Sequence, residues 1–232
     1  LTSLDRKQVN ACIIFTIFCS IVKKSRSDED LNITIPSSQF DIDFSASSNI
    51  VNSLEDFFDA VKAFSWLPLT NGPTVAVISN AGGPAVISTD EIVLQGLKIA
   101  KFDEVTNKKL TQILPRSASI HDPVDVMGDA LAERFGHTAE IIIKNANVDC
   151  LLFLLTPQLM TQIEKTAEYI SFIYKKYKKP IVCSFIGGNM VNEGEKILNK
   201  SKVPVFRYPE RAIKAIALMW KHSQHVNAVK YA

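Results

Sequence analysis

Histidine, cysteine and tryptophan are scarce in this chain, and neither sign of charge dominates. Its 232 residues hold four histidines, four cysteines and two tryptophans, and 26 basic against 24 acidic residues leave a net charge of +2. That balance supplies no concentrated basic face, so nucleic acid is not an expected partner. Cys12, Cys19, Cys150 and Cys183 have no metal-ligand spacing. Cys150 and Cys183 lie inside apolar runs, read as small buried hydrophobes, and this usage fits a reducing cytoplasm. None of His121, His137, His222 and His225 stands in a Ser-His-Asp, Cys-His or zinc pattern, so no catalytic residue and no metal site is assigned. Long hydrophobic runs are also missing. The densest, Ala11–Val22, falls short of the ~20 residues that span a bilayer. Basic residues follow that run and no small-residue cleavage site closes it, so it does not read as a signal peptide. Burial as a strand or helix is expected instead, with no membrane partner.

What is present is a soluble globular composition, 47% hydrophobic and 22% charged. Residues 1–49 read as an irregular N-terminal segment or the remnant of a preceding domain. They run from a charged stretch, Lys23–Asp30, into Ser-, Asp- and Asn-rich Pro36–Ser48. One domain is expected over 50–222 and a C-terminal tail over 223–232. Ser53 is placed to cap a helix through Phe64, whose apolar residues recur at helical spacing. Thereafter strand and helix alternate. Strands are expected at Val75–Ile78, Leu97–Ala100, Asp149–Leu155, Pro180–Phe185 and Val203–Phe206. The helices between and after them are Pro84–Gln95 (stopped by Gly96), Asp103–Leu114, Asp129–Asn145, Thr161–Tyr177, Val191–Asn199 and Pro209–Trp220. The lysines at 175, 176, 178 and 179 suit a helix C-terminus facing water.

This alternation predicts an α/β fold, a flavodoxin-like, doubly wound, parallel five-stranded sheet in strand order 2-1-3-4-5. Ligands of such sheets gather beyond the carboxyl ends of the strands. The segment Thr74-Val-Ala-Val-Ile-Ser-Asn-Ala-Gly-Gly-Pro carries a strand through a small-residue turn onto a helix start. Backbone N–H groups and the positive end of a helix dipole meet there, an arrangement suited to an anion. A plain tight connection would look the same. Asn80, Ala81, Gly82 and Gly83 are the candidate anion-binding residues. Thr156, Pro157 and Gln158, with Gly187 and Gly188, are expected to line the same edge. The stretch His121-Asp-Pro-Val-Asp-Val-Met-Gly-Asp gathers three carboxylates and an imidazole. Loop hydrogen bonding by Asp122 and Asp125, and helix capping by Asp129, is the expected role there, since the spacing matches no metal template.

Four ordered motifs carry a family resemblance: Val77-Ile-Ser-Asn-Ala-Gly-Gly-Pro-Ala-Val, Asp122-Pro-Val-Asp-Val-Met-Gly-Asp-Ala, Leu155-Thr-Pro-Gln with Ser184-Phe-Ile-Gly-Gly, and Tyr208-Pro-Glu-Arg-Ala-Ile-Lys-Ala. From about Ile50 to Trp220 the chain resembles the flavodoxin-like ligase domain of ADP-forming acetate–CoA ligases (NDP-forming acyl-CoA synthetases, α subunit), and more distantly the succinyl-CoA synthetase β subunit. The resemblance implies a part in the reaction acyl-CoA + ADP + phosphate ⇌ acid + CoA + ATP. In such enzymes a phosphorylated histidine of a neighbouring domain is clasped by helix N-termini. Here that implicates Asn80 to Gly83, with Pro123 and Asp125 lining the site beside the loops already named. The family's Ser-His-Thr-Gly motif is absent, as are its CoA-binding and ATP-grasp domains. The resemblance therefore implies a non-autonomous chain in an oligomeric assembly, binding no cofactor alone. CoA, ADP or ATP, and Mg would act in the complete enzyme, on domains supplied in cis or by partner subunits. The chain would then be a fragment, a subunit or an inactive remnant. The competing reading is a ligand-sensing regulatory domain of an acyl-CoA-linked acyltransferase.

Overall fold

A computed structural model describes the backbone of residues 53–230, with side chains to residue 224. The expectations for residues 1–49 lie outside the described residues. Two compact units divide the chain, Leu1–Ser65 and Trp66–Ala232. The described part of the first is helix α1, Leu54–Trp66, whose last residue opens the second unit. Ser53 caps it as expected, its Oγ accepting from the Asp56 N–H at 3.1 Å. Glu55 and Asp56 fill the first turn, where negative charge suits the dipole.

The second unit is built on a parallel sheet. Strand β1 is Thr74–Ser79, followed by helix α2, Gly82–Leu94, and strand β2, Lys98–Ile99. Helix α3, Glu104–Ile113, precedes strand β3, Val124–Asp125, and helix α4, Ala132–Ile143. Strand β4 is Cys150–Leu155, helix α5 Ile163–Lys176 and strand β5 Ile181–Phe185. A 3-10 turn, Gly188–Val191, leads into helix α6, Asn192–Lys200, and helix α7 is Pro209–Lys230. The sheet runs β2-β1-β4-β5, with every pairing parallel. Among the described residues, a single bridge, Cys183 to Val205, lies beyond β5. The strand order thus matches the expected 2-1-3-4-5, except that the anticipated strand Val203–Phe206 is reduced to that bridge.

The fifth strand is β3, in a segment read as a loop. It pairs with β1 through Ile78–Val124 and Ser79–Asp125, on the same edge that β2 covers at Thr74 and Val75. Two separate two-residue strands therefore share one edge of β1. Between them the ladder would leave the Val77 N–H without a strand partner. The Asp122 carboxylate fills that gap, Oδ1 accepting from Val77 N at 2.7 Å and Oδ2 from Ala100 N at 2.9 Å. A side chain stands in for a missing stretch of strand.

Alternation along the buried strands separates two cores. Ala76, Ile78, Leu151, Phe153, Ile181 and Cys183 face one way and pack with Leu110, Phe135, Ile142, Ile170 and Leu198 from α3 to α6. Val75, Val77, Leu152, Leu154 and Val182 alternate with them and are fully buried, as are Ile92 of α2 and Ala212 and Ile213 of α7. Helices on both faces are what a doubly wound sheet requires.

Gly96 ends α2 as expected, at φ 74°, with Gly96 N bonded to Val93 O and Leu97 N to Ile92 O, a Schellman closure. The start differs. α2 begins at Gly82, so Pro84 is the third helical residue, where its missing N–H still costs no intrahelical bond. Asp129 does not cap α4, which starts at Ala132 with Leu131 at the cap position; Asp129 instead pairs with Arg134 at 2.6 Å. Two of the four lysines brace helices: Lys176 pairs with Glu140 at 2.7 Å and Lys179 donates to the Asn145 carbonyl at 2.8 Å. α7 extends through Lys230, past the expected end at Trp220.

Candidate functional site

The loops that leave β1, β3, β4 and β5 at their carboxyl ends meet at one edge of the sheet. The turn after β1 is shaped by two side chains. Ser79 Oγ donates to the Ala81 carbonyl at 2.7 Å and accepts from the Ala81 N–H at 3.0 Å. That folds the backbone back on itself and consumes the Ala81 donor. Asn80 is buried, and its amide is bonded to the backbone of Thr156 in both senses: Nδ2 donates to the carbonyl at 2.8 Å and Oδ1 accepts from the N–H at 2.9 Å. Of the four residues read as anion-binding, Asn80 and Ala81 therefore spend these groups on the protein itself.

Gly82 and Gly83 are different. They are the first two residues of α2, ahead of the first i→i−4 bond, and Ala81 at the cap position provides no side-chain cap. Both are exposed. Neither has a positive φ, and a Cβ built on either would meet nothing within 4 Å. Neither backbone conformation nor internal packing demands glycine here, although glycine in a helix costs up to about 1 kcal/mol relative to alanine. What glycine does provide is unobstructed approach of an outside group to two N–H donors at the positive end of a thirteen-residue helix.

The turn after β4 is held by Thr161, whose Oγ1 accepts from the Gln158 N–H at 2.9 Å, while Gln158 Nε2 donates to Thr156 Oγ1 at 3.2 Å. Pro157 lies against the loop after β5. A Cβ on Gly187 would come within 2.4 Å of Pro157 Cγ, so these two loops can approach only with glycine at 187. Gly188 adopts φ 56°, the left-handed region, as it opens the 3-10 turn. Gly187→Ala is accordingly expected to push Pro157 away and to lower unfolding free energy by about 1–3 kcal/mol in urea titration. An unchanged midpoint would show that the loop yields freely.

Asp125 and Pro123 stand beside β1 through β3. The Asp125 carboxylate turns back to accept from the Met127 N–H at 2.8 Å, which steadies Met127 at φ 70°. Asp122 precedes Pro123 through a cis peptide. Part of the Asp122 residue meets solvent, but its carboxylate is enclosed between strands. Desolvation there pushes its pKa up to about 7, against the opposing pull of the Val77 and Ala100 N–H groups.

Sequence reasoning missed two members of this edge. Thr161 joins the Thr156–Gln158 loop internally, and its signal was only a hydroxyl residue just after that loop. Gly128 brings the loop after β3 close to the others: a Cβ there would lie 3.7 Å from Gln158 Cγ and 4.0 Å from the Asn80 carbonyl. Among the described residues, no group of three or more His, Cys, Asp or Glu is placed to hold a metal ion, and no helix is long and apolar enough to cross a membrane.

A parallel α/β domain with a glycine-led helix start at the carboxyl edge of its sheet defines the structural class. Within that class, this chain belongs to the Ligase-CoA domain family, whose model matches residues 75–229. It is 36% identical over 173 residues to acetate–CoA ligase [ADP-forming] I of Archaeoglobus fulgidus, covering 75% of this chain and 24% of that protein. To the α subunit of acetate–CoA ligase [ADP-forming] II of Pyrococcus furiosus it is 29% identical over 182 residues, covering 76% and 39%. Among solved structures it resembles the dinucleotide-forming acetyl-coenzyme A synthetase 1 of Ca. Korarchaeum cryptofilum, solved in complex with phosphate and ADP. That match has a TM-score of 0.70 and 30% identity over 75% of this chain and 38% of that one. The chain thus spans only a minor part of the length of these relatives.

Proposed function

We propose that this domain serves an ADP-forming acyl-CoA synthetase, in which the N-terminus of α2 receives the phosphoryl group of a phosphohistidine presented by another domain. The observation that carries the reading is the pair Gly82–Gly83. Two uncapped helix-start donors stand open to solvent at the ligand edge, at positions where the fold itself does not require glycine. Two donors and a dipole make half a cradle. They suit an anion delivered on a side chain and shared with a second wall better than a free ion held in a closed cavity. A partly buried helix N-terminus contributes up to ~2 kcal/mol toward a nearby anion. Donors fixed before the charge arrives need no reorganisation as it moves.

The surroundings fit an edge that another domain covers. Leu131, Leu159, Met160 and Met190 are exposed large apolar side chains on the loops and turns at this end, Leu159 completely so. Relatives that bear ADP-forming ligase names are about two to three times as long as this chain, by the shares of them that it covers. The histidine, the CoA and nucleotide sites and the Mg²⁺ that accompanies the nucleotide then belong to companion domains, in cis or on partner subunits. This chain supplies the donors at Gly82 and Gly83 and the loops that set them. The test is phosphorylation of the histidine in the complete enzyme by ATP or acetyl phosphate. A bulky side chain at Gly83 should suppress it; phosphoenzyme formed at the normal rate and level would sink the proposal.

A further inference from the structure

Gly82 and Gly83 do not fix their own position, because the β1–β4 ladder ends before the turn, at the pair Ser79–Leu154. What lies beyond that last rung is side chain. The Thr156 peptide, two residues past Leu154, has both its N–H and its carbonyl bonded to the Asn80 amide. The primary amide thus imitates one more peptide group and extends the parallel pairing into the loops. Its remaining capacity is also directed at protein: Nδ2 lies 3.5 Å from Thr161 Oγ1, and Oδ1 lies 3.4 Å from Thr156 Oγ1. A carboxamide has two donor hydrogens and one oxygen acceptor. With those neighbours around a residue that is 4% exposed, the side chain is committed to the loops. Thr161 completes the arrangement, since its hydroxyl accepts from Gln158 N at 2.9 Å and lies 3.5 Å from the Thr156 carbonyl.

We infer that Asn80 and Thr161 are positioning residues, not ligand donors: they lock the turn after β1 to the turn after β4 and so fix where the Gly82 and Gly83 N–H groups point. This rests on the phosphoryl reading of that turn. Its physical content is preorganisation. Donors two and three residues beyond a buried side-chain rung hold their aim without a ligand, whereas an unlocked turn would have to be ordered as the anion arrives.

The experiment is an amide NMR titration of the 232-residue chain with inorganic phosphate, comparing wild type with Thr161→Val, Thr161→Ser and Asn80→Asp. Without phosphate, the Asn80 side-chain amide protons should exchange slowly with solvent, and Thr161→Val should move the Gly82 and Gly83 amide resonances. Phosphate should then shift those two glycines in wild type and leave the Asn80 side-chain amide unshifted. Thr161→Val should weaken the phosphate dissociation constant read at the glycines about fivefold, with Thr161→Ser restoring it. Asn80→Asp, which turns the Nδ2 donor into an acceptor facing the Thr156 carbonyl, should weaken it further. If it does not fold, the threonine pair decides. An Asn80 side-chain amide that shifts together with the glycines would make it a ligand donor and overturn the inference, as would phosphate binding unchanged by Thr161→Val. Slow Asn80 exchange and displaced glycine resonances, with no phosphate response in wild type, would support the lock; the phosphoryl reading falls separately, if the complete enzyme with a bulky residue at Gly83 forms phosphoenzyme normally.

Discussion

Replacing Gly83 with leucine is expected to raise the melting temperature of this domain by about 2 °C while cutting phosphoenzyme formation in the complete enzyme about a hundredfold. The two effects have opposite signs because they have different causes. For stability, Gly83 is an exposed residue of a regular helix with open space where a side chain would stand. Leucine there reduces the freedom of the unfolded chain and gains about 0.5–1 kcal/mol of helix propensity. For function, the same open space is the approach to two backbone donors, and a branched side chain fills it. Loss of one preorganised donor to a developing charge costs about 10²–10³ in rate. Calorimetry and phosphohistidine measurement on one variant separate these effects. A lower melting temperature would mean that the glycine serves the fold after all.

Asp122→Ala is expected to destabilise the domain by about 2–3 kcal/mol at pH 5, with the cost narrowing as the pH rises toward 8. Removing the carboxylate leaves the Val77 N–H buried without its acceptor, whereas Ala100 N keeps the Val75 carbonyl at 3.0 Å. The pH dependence follows from the raised pKa. In the unfolded chain Asp122 ionises near 3.8, and in the folded protein near 7. Between those values the native state binds the extra proton, so its stability is greatest below pH 4 and falls as the pH rises to about 7. The fall amounts to at most about 4 kcal/mol, less for the share of the residue that meets solvent. Urea unfolding at several pH values should show wild type losing stability over this interval, with Asp122→Asn and Asp122→Ala flatter. Parallel curves for all three proteins would count against the assignment.

Strands β1, β4 and β5 and the helices after them were legible because each is a continuous apolar run followed by a helical period. The Cys150–Leu155 run, buried at every position, is the clearest case. Gly96 was legible for a local reason, since a left-handed residue after a helix needs no tertiary information. β3 was not. Two residues have no period, and Val124–Asp125 becomes a strand only because β1 offers an edge beside it. The short bridge at Val205 failed in the opposite direction, through an apolar run whose burial comes without a ladder. At the candidate site, the glycines could be read as an approach to backbone. The division of labour among Asn80 to Gly83 could not, because it depends on Thr156 and Thr161, more than seventy residues away in sequence. Asp122 was expected to bond within its own loop, and it instead reaches backbone N–H groups forty-five and twenty-two residues earlier.

The two borders of the sheet also bear on how such a chain meets its neighbours. Among the described residues, one border of β1 is covered by two-residue strands with a carboxylate between them, and the far border of β5 carries a single bridge. A border so short and interrupted presents a foreign strand with almost no uninterrupted row of free N–H and C=O groups to copy. Sheet extension by edge-to-edge pairing is blunted by geometry rather than by charge. Assembly with other chains is thereby steered to helix faces and loop ends, whose contacts depend on side-chain identity and can discriminate one neighbour from another.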